Sequence, residues 1–283
     1  MKYAVIGDKG MFGSEVMSLL IAKDMDVTGF NRSNIDLEGS SIEALGLALK
    51  DFGVIINAVA YTAVDKAETE SVLAQATNGY LAGKLAHAAA LVGAKFMHIS
   101  TDYVFDGMGE TPYSVSEVAN PQSEYGRSKV LGEQLIASSG SNYTILRTAW
   151  LYGKFGRCFP KVIANVIEKN GSVKVVGDQF GQPTWTRDLA EQVLAYSILK
   201  DAPKVVHAVA SGKASWADFA VEVANSLGLN GIEVVARIST RDYPTPAKRP
   251  AWSVLDNSSD LVEPIGDWRE RWLVAADEVL GSR

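Results

Sequence analysis

The sequence predicts an α/β protein built on a doubly wound parallel sheet, with a smaller C-terminal region interleaved with it. Three observations carry that prediction. Short strand-like runs alternate with amphipathic segments, the pattern of βαβ units. The first four runs are nearly continuous apolar stretches, as strands covered by helices on both faces are. Beyond about residue 150 the pattern loosens into loops rich in Trp, Gly and Pro, and five of the six Trp lie past position 180, which points to a second region walling a site.

The elements follow in order. Tyr3–Ile6 is the first strand, and the segment Ser14 to Leu20 after it is apolar at every third or fourth position, hence helical. Val27–Phe30, Val54–Asn57 and Phe96–Ser100 are the next three strands. Asn120-Pro121 reads as a helix cap with Pro in the first turn, and the helix it opens carries Tyr125-Gly126-Arg127-Ser128-Lys129. Tyr143–Arg147 is the fifth strand, while Val173–Val176 and Val205–Ala208 read as later strands that rejoin the sheet. Residues 1–150 therefore form one region and residues 151–283 mainly another, without an internal repeat, low-complexity tract or linker.

Composition excludes several classes. Of 283 residues 47% are apolar and 21% charged, which is ordinary globular composition and rules out disorder and a coiled coil. The 27 basic and 33 acidic residues leave a net charge of −6, a repulsive field for nucleic acid. No apolar run approaches the roughly 18 residues of a membrane span and no cleavage pattern follows the first residues, so a cytoplasmic protein is expected. Cys158 is the one cysteine, excluding an internal disulfide or a thiolate cluster, and is read as structural. His87, His98 and His207 have no ligand spacing, so no metal is expected. There is neither a Gly-x-Ser-x-Gly elbow nor a Gly-Lys-Ser/Thr phosphate loop, which argues against a hydrolase or kinase. Glu68-Thr69-Glu70 reads as a solvated helix start.

The first strand ends in Gly7-Asp8-Lys9-Gly10-Met11-Phe12-Gly13, a glycine-rich turn opening a helix. Glycines let backbone N–H groups approach a pyrophosphate, and the helix N-terminus adds about half a positive charge. Three glycines alone also make a simple tight turn; the position after the first strand of a βαβ chain is what marks a Rossmann-like dinucleotide site. The second strand ends at Asn31-Arg32, where an acid would bind the ribose of NAD. Arg32 is either a partner for the 2′-phosphate of NADP or a solvated loop cation. Asp36 and Leu37 flank the adenine in this reading.

The fourth strand runs into Thr101 and Asp102 at the carboxyl edge of the sheet, where ligands bind in open α/β folds. Tyr125 and Lys129 share one helix face. A phenol with a pKa near 10 is a poor acid at neutral pH, but a nearby ammonium draws it toward working range. Such a pair also decorates many helices by chance; its order after the glycine turn and a strand-end Thr gives it meaning. Thr101 is the hydroxyl that positions a carbonyl for hydride delivery. Lys154, Arg157 and Lys161, with Lys248 and Arg249, form two basic groups, and Arg249 is the expected contact of a diphosphate.

These residues resemble the extended short-chain dehydrogenase/reductases, and within them the dTDP-4-dehydrorhamnose reductases, across nearly the whole chain. The resemblance is carried by Asn57-Ala58-Val59-Ala60-Tyr61-Thr62-Ala63-Val64-Asp65-Lys66-Ala67-Glu68, Ser100 to Phe105, Arg147 to Gly153, Asp178 to Thr184, and Tyr243-Pro244-Thr245-Pro246-Ala247-Lys248-Arg249-Pro250. It implies reduction of the 4-keto group of a dTDP-linked 6-deoxyhexulose by NADPH or NADH. Tyr125 is then the proton donor, Lys129 lies on the nicotinamide ribose and Thr101 on the keto oxygen. Thr101, Asp102 and Trp150 match the sugar contacts, although Trp150 also reads as a core aromatic. Gly10, Met11 and Phe12 match the pyrophosphate contacts, Asn31 the ribose, Asp36 and Leu37 the adenine, and Ala58 to Ala60 line the cofactor.

Departures stand beside the matches. Some members are homodimers bridged by Mg²⁺ through glutamates. Here Glu15 matches, but Arg187 stands where another glutamate would be, which argues against a bridging metal. Tyr61 replaces a common His, implying altered packing beside the substrate. Nucleotide-sugar 4,6-dehydratases carry Glu where this chain has Tyr103, which disfavours net dehydration. A relative that binds NADP as a regulatory subunit of a methionine adenosyltransferase is the non-enzymatic alternative, and the intact Thr101, Tyr125 and Lys129 argue against it.

Overall fold

The computed structural model describes residues 1–281. Six parallel strands form the central sheet: β1 (Tyr3–Ile6), β2 (Val27–Phe30), β3 (Val54–Asn57), β4 (Lys95–Thr101), β5 (Asn142–Thr148) and β6 (Val205–His207). Their order is β2-β1-β3-β4-β5-β6. It reverses between β1 and β3, so the crevice for a ligand opens beyond the carboxyl ends of those two strands. The longer helices are α1 (Met11–Ala22), α2 (Ile42–Leu49), α3 (Ala82–Val92), α4 (Glu124–Ala137), α5 (Phe159–Asn170), α6 (Thr186–Ile198), α7 (Trp216–Ser226) and α8 (Trp268–Leu280).

The apolar runs of the inner strands are explained by two cores on opposite faces of the sheet. Tyr3 and Val5 point into one, with Val16 and Leu19 of α1 and Leu189 and Val193 of α6. Ala4 and Ile6 point into the other, with Leu45 of α2, Leu85 of α3 and Ile136 of α4. All four β1 side chains are fully buried, and each fully buried Val or Ile contributes about 1.5–3 kcal/mol. At the edge, β2 is only half-buried throughout. The buried Lys95 at the start of β4 reaches across the sheet and donates to the carbonyls of Tyr196 (2.6 Å) and Leu199 (2.8 Å), holding the C-terminus of α6.

The chain interleaves as expected at β6, which pairs with β5 through Val205↔Ile145 to His207↔Arg147. Val173–Val176 does not rejoin the sheet: it pairs in parallel with Val235–Ile238 in a separate two-stranded ribbon. Its pattern suits a ribbon with one open face, since Lys174 is exposed between Val173 and the buried Val175. This ribbon belongs to a third core, built from Tyr152, Phe219, Trp268 and Trp272.

The cap of α4 also differs from expectation. Ser123, not Asn120, occupies that position, its Oγ accepting from Gly126 N at 3.1 Å. The same helix end is met from outside, where Glu68 Oε1 accepts from Glu124 N at 2.9 Å. Glu68 is thus no solvated residue but a second cap, and Glu70 accepts the Tyr61 hydroxyl at 2.6 Å.

Candidate functional site

The glycine turn is shaped for close approach. Gly7 has φ +89°, and a Cβ there would lie 2.9 Å from the Val59 side chain. A Cβ on Gly13 would lie 2.1 Å from the Gly7 carbonyl. Both positions therefore require glycine, one for its backbone conformation and one for helix–strand contact. Gly10 is the N-cap of α1 and offers no side-chain acceptor, so the first N–H groups of the helix are free for an anion. Phe12 is buried in the sheet core, while Met11 packs against the C-terminal core.

The neighbouring loops complete this edge. Ala58 and Val59, half-buried, and the exposed Ala60 follow β3 beside Gly7. Asn31 Nδ2 donates to Asp8 Oδ1 at 2.9 Å, joining the ends of β1 and β2. Arg32 is exposed and, among the described residues, makes no ion pair or hydrogen bond. Asp36 folds back on Gly39 N at 2.9 Å, and Leu37 is buried in the core rather than lining a surface. Gly156, between Lys154 and Arg157, packs against Met11, so this basic loop sits at the glycine turn. Lys161 ties it down by donating to the carbonyls of Lys154 and Gly156.

Thr101 is the last residue of β4, paired with Thr148. Its hydroxyl donates to Asp102 Oδ1 at 2.9 Å and accepts from Tyr103 N at 3.2 Å. Asp102 is 2% exposed and its other carboxylate oxygen has no partner. Burial raises its pKa to about 6 against the opposing influence of the nearby Ser253 and Thr101 hydroxyls.

Tyr125 and Lys129 lie one turn apart on α4. Lys129 is 2% exposed, makes no ion pair among the described residues, and donates from Nζ to the Ile99 carbonyl at 2.6 Å. Burial lowers its pKa to about 8, partly opposed by Glu133. The expected drop in the Tyr125 pKa is not found. Desolvation pushes the phenol up, while a hydrogen bond with Thr101 opposes the rise. The same dry surroundings disfavour both charged forms, phenolate and ammonium. The phenol is therefore held protonated, the form that can donate.

Sequence reasoning missed three features here. Trp150 adopts φ +47°, rare for so large a residue, and stacks on Trp216 with centroids 3.5 Å apart and planes at 7°. A Cβ on Gly181 would lie 2.5 Å from the Trp150 ring. The excess of Trp beyond position 180 was the available signal for Trp216. Arg249 is not a free cation: Nη2 donates to Asp65 Oδ2 at 2.6 Å and Nη1 to the Tyr103 hydroxyl at 3.2 Å. Asn78, in a π-helical stretch (Ala76–Leu81), holds both backbone groups of Tyr61 and donates to Ser128 Oγ on α4. Glu15 is buried, with Thr186 Oγ1 donating to it at 3.2 Å and Arg187 3.6 Å away. His98 and His207 are buried and held well toward the neutral form by burial, the latter with its pKa lowered to about 4.

Sheet order and glycine turn together define the class, a Rossmann-like α/β protein with a doubly wound parallel sheet. The family described as "RmlD substrate binding domain" matches residues 1–280, and the chain belongs to it. A dTDP-4-dehydrorhamnose reductase of Sinorhizobium fredii is 38% identical over 263 residues, covering 90% of this chain and 88% of that one. A probable dTDP-4,6-dihydroxy-2-methyloxan-3-one 4-ketoreductase of Streptomyces antibioticus is 35% identical, covering 100% of this chain and 97% of that one. The crystal structure of the Bacillus anthracis dTDP-4-dehydrorhamnose reductase in complex with NADP is 30% identical, with a TM-score of 0.90 over 97% of this chain and 99% of that one.

Proposed function

We propose that the chain reduces the 4-keto group of dTDP-4-dehydro-6-deoxy-L-mannose to dTDP-L-rhamnose with NADPH or NADH. The observation that carries this is Tyr125 and the buried Lys129 set beside a strand-end Thr101, in a chain 38% identical to a reductase of that name. The uncapped N-terminus of α1 fits a dinucleotide pyrophosphate, and Gly7 and Gly13 let the turn close tightly enough on β3 and α1 to present it. Gly7, Gly10, Met11, Phe12 and Gly13 hold it through the backbone. Asn31 and Asp36 take the adenosine side, and Ala58, Val59 and Ala60 the other wall. The unpaired Arg32 favours the 2′-phosphate of NADPH.

The nicotinamide, when bound, supplies the hydride. Tyr125 donates a proton to the carbonyl oxygen, which Thr101 holds by a hydrogen bond. Lys129 stabilises the phenolate that remains and binds the ribose. Asp102 accepts from a sugar hydroxyl through its unpartnered oxygen, and the strained Trp150 gives the sugar an aromatic face. Residues 1–150 thus serve the cofactor and residues beyond them mainly the sugar nucleotide. A dTDP-sugar is the partner in this reading, with neither nucleic acid nor membrane, in the cytoplasm, and a homodimer is compatible with it. No helix among the described residues is long and apolar enough to cross a membrane.

The decisive assay follows NADPH and NADH oxidation across a panel of nucleotide 4-keto sugars. Oxidation dependent on dTDP-4-dehydro-6-deoxy-L-mannose is expected. Protein that binds NADPH yet turns over no nucleotide-linked keto sugar is a binding subunit instead, and faster turnover of a 2-methyloxanone substrate of the Streptomyces type moves the assignment there.

The pH dependence follows from the two buried groups. Asp102 is a carboxylate above about pH 6 and Lys129 an ammonium below about pH 8. Activity needs both charges, so kcat/KM rises through pH 6 and falls through pH 8. Asp102→Asn removes the acid limb; a wild-type profile flat through pH 8 removes Lys129 from its role.

A further inference from the structure

The turn after β4, Asp102–Val104, carries Tyr103 into direct contact with the first turn of α4. Its ring meets the Tyr125 ring edge-on, centroids 5.6 Å apart and planes at 78°. Its carbonyl is so close to α4 that a Cβ on Gly126 would lie 2.3 Å from it. Two neighbours of Tyr125 in space and sequence are therefore set by one residue.

Tyr103 is in turn clamped from the C-terminal region. Its hydroxyl accepts from Arg249 at 3.2 Å. Arg249 donates to one oxygen of Asp65 at 2.6 Å, and the other oxygen of Asp65 accepts from Ala247 N at 3.2 Å. Both carboxylate oxygens thus seat the same segment, 247–249. Three residues beyond Asp65, Glu68 caps Glu124, the residue before Tyr125. The cofactor half reaches the phenol along α4, and the substrate half reaches it through Tyr103.

We propose that Tyr103, clamped by Arg249 and Asp65, is a positioning residue for Tyr125, so that proton delivery depends on the seating of segment 247–249 against the cofactor half. This rests on the reductase reading above. Misplacing a reacting group by about 1 Å can cost roughly a hundredfold in rate, and the edge-on ring is what fixes the phenol's direction.

The test measures kcat, KM and NADPH binding for the full chain and its variants with dTDP-4-dehydro-6-deoxy-L-mannose. Tyr103→Leu lowers kcat by about 10- to 100-fold with NADPH affinity unchanged, and Tyr103→Phe, which keeps the ring but cannot accept from Arg249, lowers it only as far as Arg249→Met does. Asp65→Asn and Arg249→Met each lower kcat, and the double variant falls no further than the worse single one, since both act through one chain of contacts. Full kcat in Tyr103→Leu overturns the proposal. So do additive losses in the Asp65/Arg249 pair, which decide the matter even where Tyr103→Leu does not fold, and so does an Arg249→Met defect confined to KM, which makes Arg249 a substrate contact. A wild-type protein without turnover withdraws the reductase reading and this role with it; an active wild type beside an unimpaired Tyr103→Leu withdraws this role alone.

Discussion

Tyr125→Phe loses about 10²- to 10⁴-fold in kcat, the range a positioned general acid supplies, while its NADPH affinity stays at the wild-type level. The phenol is the group whose removal leaves the shape of the site intact: Phe retains the ring that meets Tyr103 edge-on, and the pyrophosphate cradle is on other elements. Burial holds Tyr125 protonated, so at neutral pH essentially all of the protein carries the donor form, and no compensating change of pH recovers the variant. Steady-state kinetics with cofactor titration by fluorescence checks both halves. Activity within tenfold of wild type would assign the proton to another group, with Tyr103 the nearest phenol.

How far the sequence went is best seen strand by strand. The strands of the sheet were legible to within about a residue, because an apolar run between turns announces a doubly covered strand whatever its neighbours. The glycine turn was legible because Gly7 and Gly13 answer local demands, a positive φ and a 2.1 Å approach. Partners were not legible. Val173–Val176 is a strand by local pattern, but its mate at Val235–Ile238 lies some 60 residues on, and nothing local encodes that choice. Asn120 and Ser123 are both good caps, and in the fold it is the Ser123 hydroxyl that takes Gly126 N, with Glu68 reaching in from another element beside it. Arg249 reads from sequence as a contact for a diphosphate, but its carboxylate partner, Asp65, is 184 residues away and no local pattern announces it. The direction of the Tyr125 pKa failed for a related reason: spacing showed the ammonium nearby, but desolvation is a property of the packed site.

The largest effect on stability is expected at a pair that spacing does not reveal. Arg147 on β5 and Glu133 on α4 are 8% and 10% exposed and meet through two hydrogen bonds, Nε to Oε1 at 3.0 Å and Nη2 to Oε2 at 2.7 Å. Ser100 on β4 donates to the same carboxylate at 2.5 Å, and the Phe105 ring lies 5.1 Å from the guanidinium. Arg147→Met leaves Glu133 charged and unpaired in a dry interior, which costs about 3–5 kcal/mol and lowers Tm by roughly 10 °C at a few degrees per kcal/mol. The double variant Arg147→Met/Glu133→Gln removes both charges and regains part of that loss, whereas additive losses in thermal melts would mean that the two side chains do not act as a pair. Glu133 is also one turn from Lys129 and raises its pKa against burial. Glu133→Gln therefore moves the alkaline limb of kcat/KM to a pH below 8, because the ammonium loses the charge that favours it. Arg147→Met moves it the other way, since Glu133 then faces Lys129 without a competing cation. The pair that holds β5 to α4 thus also sets the pH at which the active lysine keeps its proton, and opposite shifts of one limb in the two variants are what distinguishes that role from packing alone.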